Sequence, residues 1–473
     1  MVASSTATTS DENWSPDSWR SRPALQQPRY LDEMRLAQVG QRLRELPPLV
    51  TSGEILELKW AIAEAQEGRR FLLHGGDCAE SFIDCTNEII VNRLKVLFQM
   101  GLILAHGLKQ PVIRLGRFAG QYAKPRSSDI ESRDGVTLPC YRGDIVNGLD
   151  FDPISREADP ERMFQAHAFS SLTLNFTRAL VEGGFGDLRR PEFWRLDWID
   201  QSPSAVEYRR AVDEIADSLR FMQTLGGHIV EDRLHGGFYT SHEGLLLHYE
   251  EALTRAVPHR GGWYNLSTHF PWLGMRTSAL EGAHVEYFRG LSNPIGVKIG
   301  PTLQPDDLLR LIDRLNPSDE PGRLTLITRM GRNHIEQALP PILRAVSNAG
   351  RRVLWVVDPM HGNTETTQNG YKTRRFEKIR DELDLAFCIH ASEGTRLGGV
   401  HLEMTGEDVT ECLGGARSLD ETDLGRAYKT TVDPRLNYEQ AMELSMLIAS
   451  ANRATRPSAS LDERKNLSLA GAL

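Results

Sequence analysis

Cysteine is scarce and poorly placed for crosslinking: Cys78, Cys85, Cys140, Cys388 and Cys412 are odd in number, scattered and without CxxC spacing. That excludes a disulfide framework and a zinc finger, and leaves at least one thiol free, as in a reducing compartment. No apolar run approaches the roughly 18 residues needed to span a bilayer, and the start of the chain lacks the basic residues and apolar stretch of a secretory signal. The expectation is a cytoplasmic protein with no membrane partner. Positive charge is also in deficit, with a formal net charge of −9. A general nucleic-acid surface needs clustered excess Lys and Arg, so nucleic acid is excluded as a partner and any phosphate chemistry must use local basic clusters.

What is present is the composition of a globular chain with a large core: 473 residues, 40% apolar and 25% charged. Short β-rich runs recur, each closing on a polar or glycine-containing turn: RFLLHGGDCAE, PVIRLGRFAG, GGFYTSHE, GGWYNLSTHF, NPIGVKIGP, GRLTLITRMG, RVLWVVDPMHGN and GGVHLEMTGE. Amphipathic helical patterns such as DDLLRLIDRL and HIEQALPPILRAVSNAG lie between them, and the strand–turn–helix rhythm runs from Gly262 to Gly406. Eight strands in βαβ alternation predict an α/β fold, a closed (β/α)8 barrel, occupying residues 61–450 as one unit. Residues 1–15 and 451–473 are small and polar and are expected to be disordered. Residues 16–60, containing SWRSRPALQQPRY, form an N-terminal extension, and two extra helices at about 160–225 interrupt the barrel between strands 2 and 3. Exposed apolar faces on added helices need a partner, which favours subunit contact or regulation.

In a parallel barrel the reactive groups sit where strands end, because there the strands aim side chains at one mouth. These ends carry Cys78, Arg114, Arg117, Lys124, Arg126, Glu243, His269, Arg276, Lys298, Arg329, Asp358, His361 and Glu403. Two subsets emerge. Cys78, His361 and Glu403, with Asp433 of TTVDPRLN, combine thiolate, imidazole and carboxylate, a donor set for Mn²⁺, Fe²⁺, Co²⁺ or Zn²⁺ rather than Ca²⁺. Arg117, Lys124, Arg126, Arg276, Lys298 and Arg329 form a cation cluster that calls for a small substrate bearing a carboxylate and one or two phosphates. A solvated, salt-bridged rim is the bland alternative, yet these residues stand at strand ends and not on polar helix faces.

The stretches GGDCAE, GQYAKPRSSD, YRGD, SHEGLLL, RLTLITRMG, DPMHGNT, HLEMTGEDVTECLGG and DPRLN resemble the class II 3-deoxy-D-arabino-heptulosonate 7-phosphate (DAHP) synthases, from about Trp19 to Ala449. The resemblance implies condensation of phosphoenolpyruvate with erythrose 4-phosphate in a metal-dependent (β/α)8 barrel, the entry step to the shikimate pathway. It implies metal ligation by Cys78, His361, Glu403 and Asp433, with Mn²⁺ the first expectation and Co²⁺, Fe²⁺ or Zn²⁺ the others. It places phosphoenolpyruvate on Arg117, Lys124, Met275, Arg276, Lys298 and Arg329, and the aldose phosphate on Lys124, Arg126 and Ser127. Lys124, Glu243 and His361 are the implied catalytic residues. Where the family usually reads GERTRQxDGAH this chain reads GMRTSALEGAH, so Met275, Ser278 and Ala279 replace Glu, Arg and Gln. That departure keeps open a specialised relative using another phosphorylated aldehyde or forming aminoDAHP. A non-catalytic metal- and anion-binding scaffold for another shikimate enzyme is the reading from a different class. A homo-oligomer (dimer or tetramer), a chorismate mutase partner and aromatic amino-acid inhibitors complete what the resemblance implies.

Overall fold

The β-rich runs are short, apolar and bounded by Gly, Pro and Asp, which suits strands buried on both faces. In the computed structural model, which describes residues 14–185, 206, 209–210, 213–214, 217 and 237–454, seven of them supply barrel strands and an eighth strand starts at the last residue of GGWYNLSTHF. The eight are β1 (Phe71–Gly76), β2 (Val112–Arg117), β3 (Phe238–Glu243), β4 (Phe270–Leu273), β5 (Ile295–Ile299), β6 (Leu324–Thr328), β7 (Leu354–Val357) and β8 (Leu397–Glu403). Each pairs in parallel with its neighbours in chain order, and β8 closes on β1 with His401 opposite His74 and Glu403 opposite Gly76. This is the expected (β/α)8 barrel.

Side-chain alternation sorts the barrel into layers. At the end where strands begin, Leu72, Ile113, Phe270, Leu354 and Val356 pack with Leu58, Ala61, Ile62 and Ala65 of the helix Ser52–Gln66. That helix opens on a complete capping box between Thr51 and Glu54, runs through residue 60 and plugs the bottom of the barrel. Higher up, His74, Ser241, Trp272 and His401 fill the interior, all essentially without exposure. Arg117, Glu243 and Glu403 then end their strands at the top, and Lys298 is the last residue but one of β5. Outside, the helix Pro305–Leu315 starts on a proline with Asp306 and Asp307 in its first turn and buries Leu308, Leu311, Ile312 and Leu315.

The structure departs from expectation in four places. The run GGWYNLSTHF is not one barrel strand: Trp263–Asn265 turns back at Gly261 and Gly262, both with positive φ, and pairs antiparallel with Thr254–Ala256 outside the barrel. β4 begins only at Phe270, so His269 lies at the closed bottom, where its Nδ1 accepts from the Thr240 amide at 2.9 Å. Arg114 is mid-strand and faces outward, its guanidinium 4.7 Å from the Phe98 ring. The helix Asn87–Leu108 is long and apolar enough to cross a membrane, but 67% of its apolar window is buried in this fold, against β1, β2 and the helix Tyr438–Ala454. Of the two insertion helices, Glu161–Glu182 is present as a 22-residue helix, while most of the second lies outside the described residues, as do 1–13 and 455–473 of the two ends. Residues 14–15 and 451–454 belong to the fold, the latter as the end of the helix Tyr438–Ala454.

Candidate active site

Ten strand-end and βα-turn residues, Cys78, Arg117, Lys124, Arg126, Glu243, Arg276, Lys298, Arg329, His361 and, from a later loop, Asp433, line one cavity of about 230 Å³ at the top of the barrel. Ser127 and Met275 line it as well, and Glu403 is fully buried directly behind His361. Arg114 and His269 lie elsewhere, as described above.

The turn DPMHGN explains its own sequence. Asp358 follows β7 directly and uses Oδ1 to accept from the amides of Met360 (3.0 Å) and His361 (3.1 Å), which folds the turn. Its Oδ2 lies 2.7 Å from His361 Nδ1 and 3.1 Å from the Lys298 ammonium. His361 Nδ1–H donates to Asp358, and Nε2 faces Glu403 Oε1, 2.9 Å away, a gap that either a second imidazole proton or a metal ion must bridge. Cys78 Sγ and carboxylate oxygens of Glu403 and Asp433 lie within 4.8 Å of one another on the same side. Cys78, His361, Glu403 and Asp433 thus fit a divalent ion by chemistry and by placement. Asp358, His361 and His401 also approach within 4.8 Å, but both His401 nitrogens are already engaged, by Arg117 and His74. Asp358 then orients His361, as carboxylates behind metal-bound imidazoles do.

Electrostatics hold this donor set in place. Burial alone would raise the Glu403 carboxyl, but His361, Arg374, Lys124 and Arg117 together hold it well below the usual range. Burial likewise opposes ionisation of Asp433, and Lys124 leads the groups that overcome it. The Cys78 thiol is pushed up to about 12, chiefly by burial and next by Glu403. A divalent ion displaces such a proton when it binds. Lys124 Nζ sits 2.6 Å from both Cys78 Sγ and Asp433 Oδ2. Burial would lower its pKa, but Cys78, Asp433 and Glu403 raise it, so it stays protonated.

Opposite lies the anion side. Arg126 and Arg276 enter no ion pair among the described residues, in contrast to Arg117 and Lys298, and the Arg329 Nε is buried with no hydrogen-bond partner. Arg329 Nη1 meets only the Met275 Sδ, at 3.3 Å, while Nη2 donates to the His361 carbonyl at 3.0 Å. Burial lowers the Lys298 pKa, with Asp358 opposing. Glu243 is raised by burial against the pull of Lys298, Lys124 and Arg117, and its Oε1 has no hydrogen-bond partner.

Several residues of the site carried no signal in the sequence. Arg374 is fully buried, 2.7 Å from Glu403 Oε2, and donates to the Pro434 carbonyl beside Asp433. Lys372 reaches Asp433 Oδ1 at 3.3 Å. Both belong to the hairpin Thr364–Thr366/Lys372–Arg374, whose return over the mouth only the fold reveals. Gln121, whose Oε1 accepts from the Glu243 amide at 2.8 Å, looked like one more polar residue in a turn.

A family profile described as the class-II DAHP synthetase family matches residues 14–449. The chain is 45% identical over 469 residues to a Neurospora crassa protein named phospho-2-dehydro-3-deoxyheptonate aldolase, covering 96% of this chain and 97% of that one. A Streptomyces coelicolor protein of the same name is 46% identical over 437 residues, covering 92% of this chain and 97% of the relative. Phospho-2-dehydro-3-deoxyheptonate aldolase AroG of Mycolicibacterium smegmatis is 43% identical over 444 residues, covering 92% and 94% respectively. The chain belongs to the class II DAHP synthase family.

Proposed function

We propose that this member of the class II DAHP synthase family joins phosphoenolpyruvate, erythrose 4-phosphate and water to give DAHP and inorganic phosphate, the first step of the shikimate pathway. The observation that carries the assignment is a single cavity in which Cys78, His361 and Asp433, backed by Glu403, face Arg117, Arg126, Arg276, Lys298 and Arg329. When bound, a divalent ion on the first four, with Mn²⁺ the favoured candidate, supplies Lewis acidity toward a carbonyl oxygen.

The chain's own groups account for the rest. Arg117, Arg276, Lys298, Arg329 and the Met275 backbone hold the carboxylate and phosphate of phosphoenolpyruvate; Arg126, Ser127 and Lys124 hold the aldose phosphate. Bringing two anions together against their repulsion is mainly a positioning and electrostatic contribution. The enol C3 forms a bond to the aldehyde carbon, and the new alkoxide takes a proton from Lys124, the buried ammonium kept charged by its anionic neighbours. Water adds at C2 as Glu243, raised by burial and unpartnered at Oε1, accepts its proton. The C2–O bond then breaks and phosphate leaves with the bonding pair.

One feature supports a second reading within this class. Met275 lines the cavity, 43% exposed, and offers Arg329 only a thioether. An altered aldehyde, or an amino analogue leading to aminoDAHP, fits such a change. Five free cysteines support a reducing, cytoplasmic setting. Regulation by aromatic amino acids draws support from a second cavity of about 480 Å³ between the N-terminal extension and Met163 of the insertion helix, where Arg20, Arg29 and Arg44 stand beside Leu36 and Ala37. Leu172, 59% exposed on that same helix, supports a subunit contact.

The test is to incubate the pure protein with Mn²⁺, phosphoenolpyruvate and erythrose 4-phosphate and follow the enol absorbance. Loss of absorbance with release of phosphate is expected. No loss, with metal binding retained, would favour a scaffold.

A further inference from the structure

The stretch SWRSRPALQQPRY is not absorbed by the chemistry above, yet it touches the site twice. Gln26 adopts a left-handed backbone, φ 63°, which non-glycine residues other than Asn and Asp seldom accept. In that conformation its side-chain amide grips the backbone of Arg126 on both sides: Oε1 accepts from the Arg126 amide at 2.8 Å, and Nε2 donates to the Arg126 carbonyl at 3.0 Å. The Arg142 guanidinium donates weakly to the Gln26 carbonyl at 3.4 Å, and the Arg142 carbonyl accepts from the Lys124 amide at 2.8 Å. The next residue repeats the device one loop away. Gln27 Nε2 donates to the Leu245 carbonyl at 2.7 Å and its Oε1 accepts from the Leu247 amide at 3.0 Å, bracketing the turn that follows Glu243. The strap itself is moored at a distance, by Trp14 Nε1 donating to the Glu286 carbonyl at 2.9 Å and Trp19 Nε1 to Glu251 Oε2 at 3.0 Å.

We infer that Gln26 is a positioning residue that sets the Arg126 loop for the aldose phosphate, with Gln27 doing the same for the loop after Glu243. A strained backbone kept for a two-bond grip on another loop's main chain is costly unless the position of that loop matters. Proline follows the pair at Pro28 and fixes the strap's exit. The inference rests on the proposed function for the identity of the ligand, not for the existence of the grip.

Gln26→Gly is the informative variant, because glycine suits the left-handed backbone while removing both hydrogen bonds. Hydrogen exchange at the Arg126 amide should accelerate, and the KM for erythrose 4-phosphate should rise by roughly tenfold, as expected for one or two lost hydrogen bonds. KM for phosphoenolpyruvate and thermal stability should stay near wild type. Gln26→Glu, which keeps the acceptor for the Arg126 amide and loses the donor, should recover part of the KM. Unchanged exchange and unchanged KM in Gln26→Gly would overturn the inference, as would an equal rise in both KM values. If the wild type fails to turn over these substrates, the functional assignment falls, while the exchange experiment still decides whether Gln26 holds the loop.

Discussion

Glu382 is a buried carboxylate that binds two active-site turns from outside the barrel, and its ionisation makes a quantitative prediction. It lies on the helix Phe376–Ser392, has no exposure, and accepts through Oε1 from the amides of Met330 (3.1 Å) and Gly331 (2.8 Å). Its Oε2 accepts from Asn363 Nδ2 at 2.6 Å, and Asn363 in turn accepts from the Arg332 amide at 2.9 Å. The turn after Arg329 and the turn holding His361 are thereby tied to one group. Burial pushes the carboxyl up to about 7 from an ordinary 4.5, with the nearby Asp358 charge adding to it and the three donors opposing. Between these two values the folded state binds more protons than the unfolded state, so this group's contribution to stability falls as pH rises. The full loss is about 3 kcal/mol, complete above about pH 7. In Glu382→Gln the titration is gone, while an NH2 group set against the Asn363 NH2 costs about 1–3 kcal/mol at every pH. Urea unfolding of both proteins at intervals from pH 5 to 8 is the assay. The stability advantage of the wild type should shrink by about 3 kcal/mol across that range. Parallel stability curves for the two proteins would refute the reasoning.

Other predictions use the same site. Asp358→Asn removes the carboxylate from His361 Nδ1 and should weaken Mn²⁺ binding by about 10–100-fold by calorimetry, with little change in fold; an unchanged affinity would remove Asp358 from its orienting role. Dialysis against a chelator should abolish turnover and added Mn²⁺ should restore it, whereas Cys78→Ser, a harder donor, should discriminate less between Zn²⁺ and Mn²⁺ in competition binding. Gly362→Ala would place a Cβ 2.4 Å from the Gly331 amide nitrogen, so the two turns must part; a loss of about 1–3 kcal/mol on urea unfolding is expected, together with a higher KM for phosphoenolpyruvate through Arg329.

The site was legible to the extent that the barrel rule converts sequence into proximity. Cys78 and His361 mean nothing together until both are placed at strand ends of one closed sheet. Asp433 is not at a strand end, and it joined the set through its motif and chemistry. Arg374 and Lys372 stayed hidden because their hairpin folds back over the mouth, a tertiary fact with no periodic signature. Two misreadings have simple physical causes. GGWYNLSTHF has the composition of a strand, and its first half is one, but the paired glycines let it pair locally instead of entering the barrel. Arg114 was mistaken for a mouth residue although strand alternation could have corrected it: Arg117 faces inward, and a residue three positions earlier must face out.

The same alternation raises the question of how a barrel interior tolerates Arg117 at all, since a guanidinium cannot shed its proton. The answer is a one-way chain of hydrogen bonds. Arg117 Nη1 donates to His401 Nε2 at 2.6 Å, which obliges His401 to carry its proton on Nδ1 and donate to His74 Nδ1 at 2.8 Å. His74 must then donate from Nε2 to the Ser241 hydroxyl at 2.7 Å, and Ser241 donates to the Gly116 carbonyl at 3.0 Å, next to Arg117 in β2. Both imidazoles are held neutral, first by burial and then by the positive charges of Arg117 and Lys298. Three of the four remaining guanidinium protons go to the carbonyls of Asp77 and Cys78 and to Glu403 Oε1, so Arg117 is aimed by the same elements that present the metal donors. His401→Leu breaks this chain at its centre, leaving a donor on Arg117 and an acceptor on His74 without partners. A loss of about 1–3 kcal/mol in stability is expected, with a rise in KM for phosphoenolpyruvate larger than the fall in kcat. His401→Gln, whose amide offers one acceptor and one donor group, should restore most of the KM. If leucine and glutamine at 401 behave alike, the chain does not aim Arg117, and the two buried histidines are packing alone.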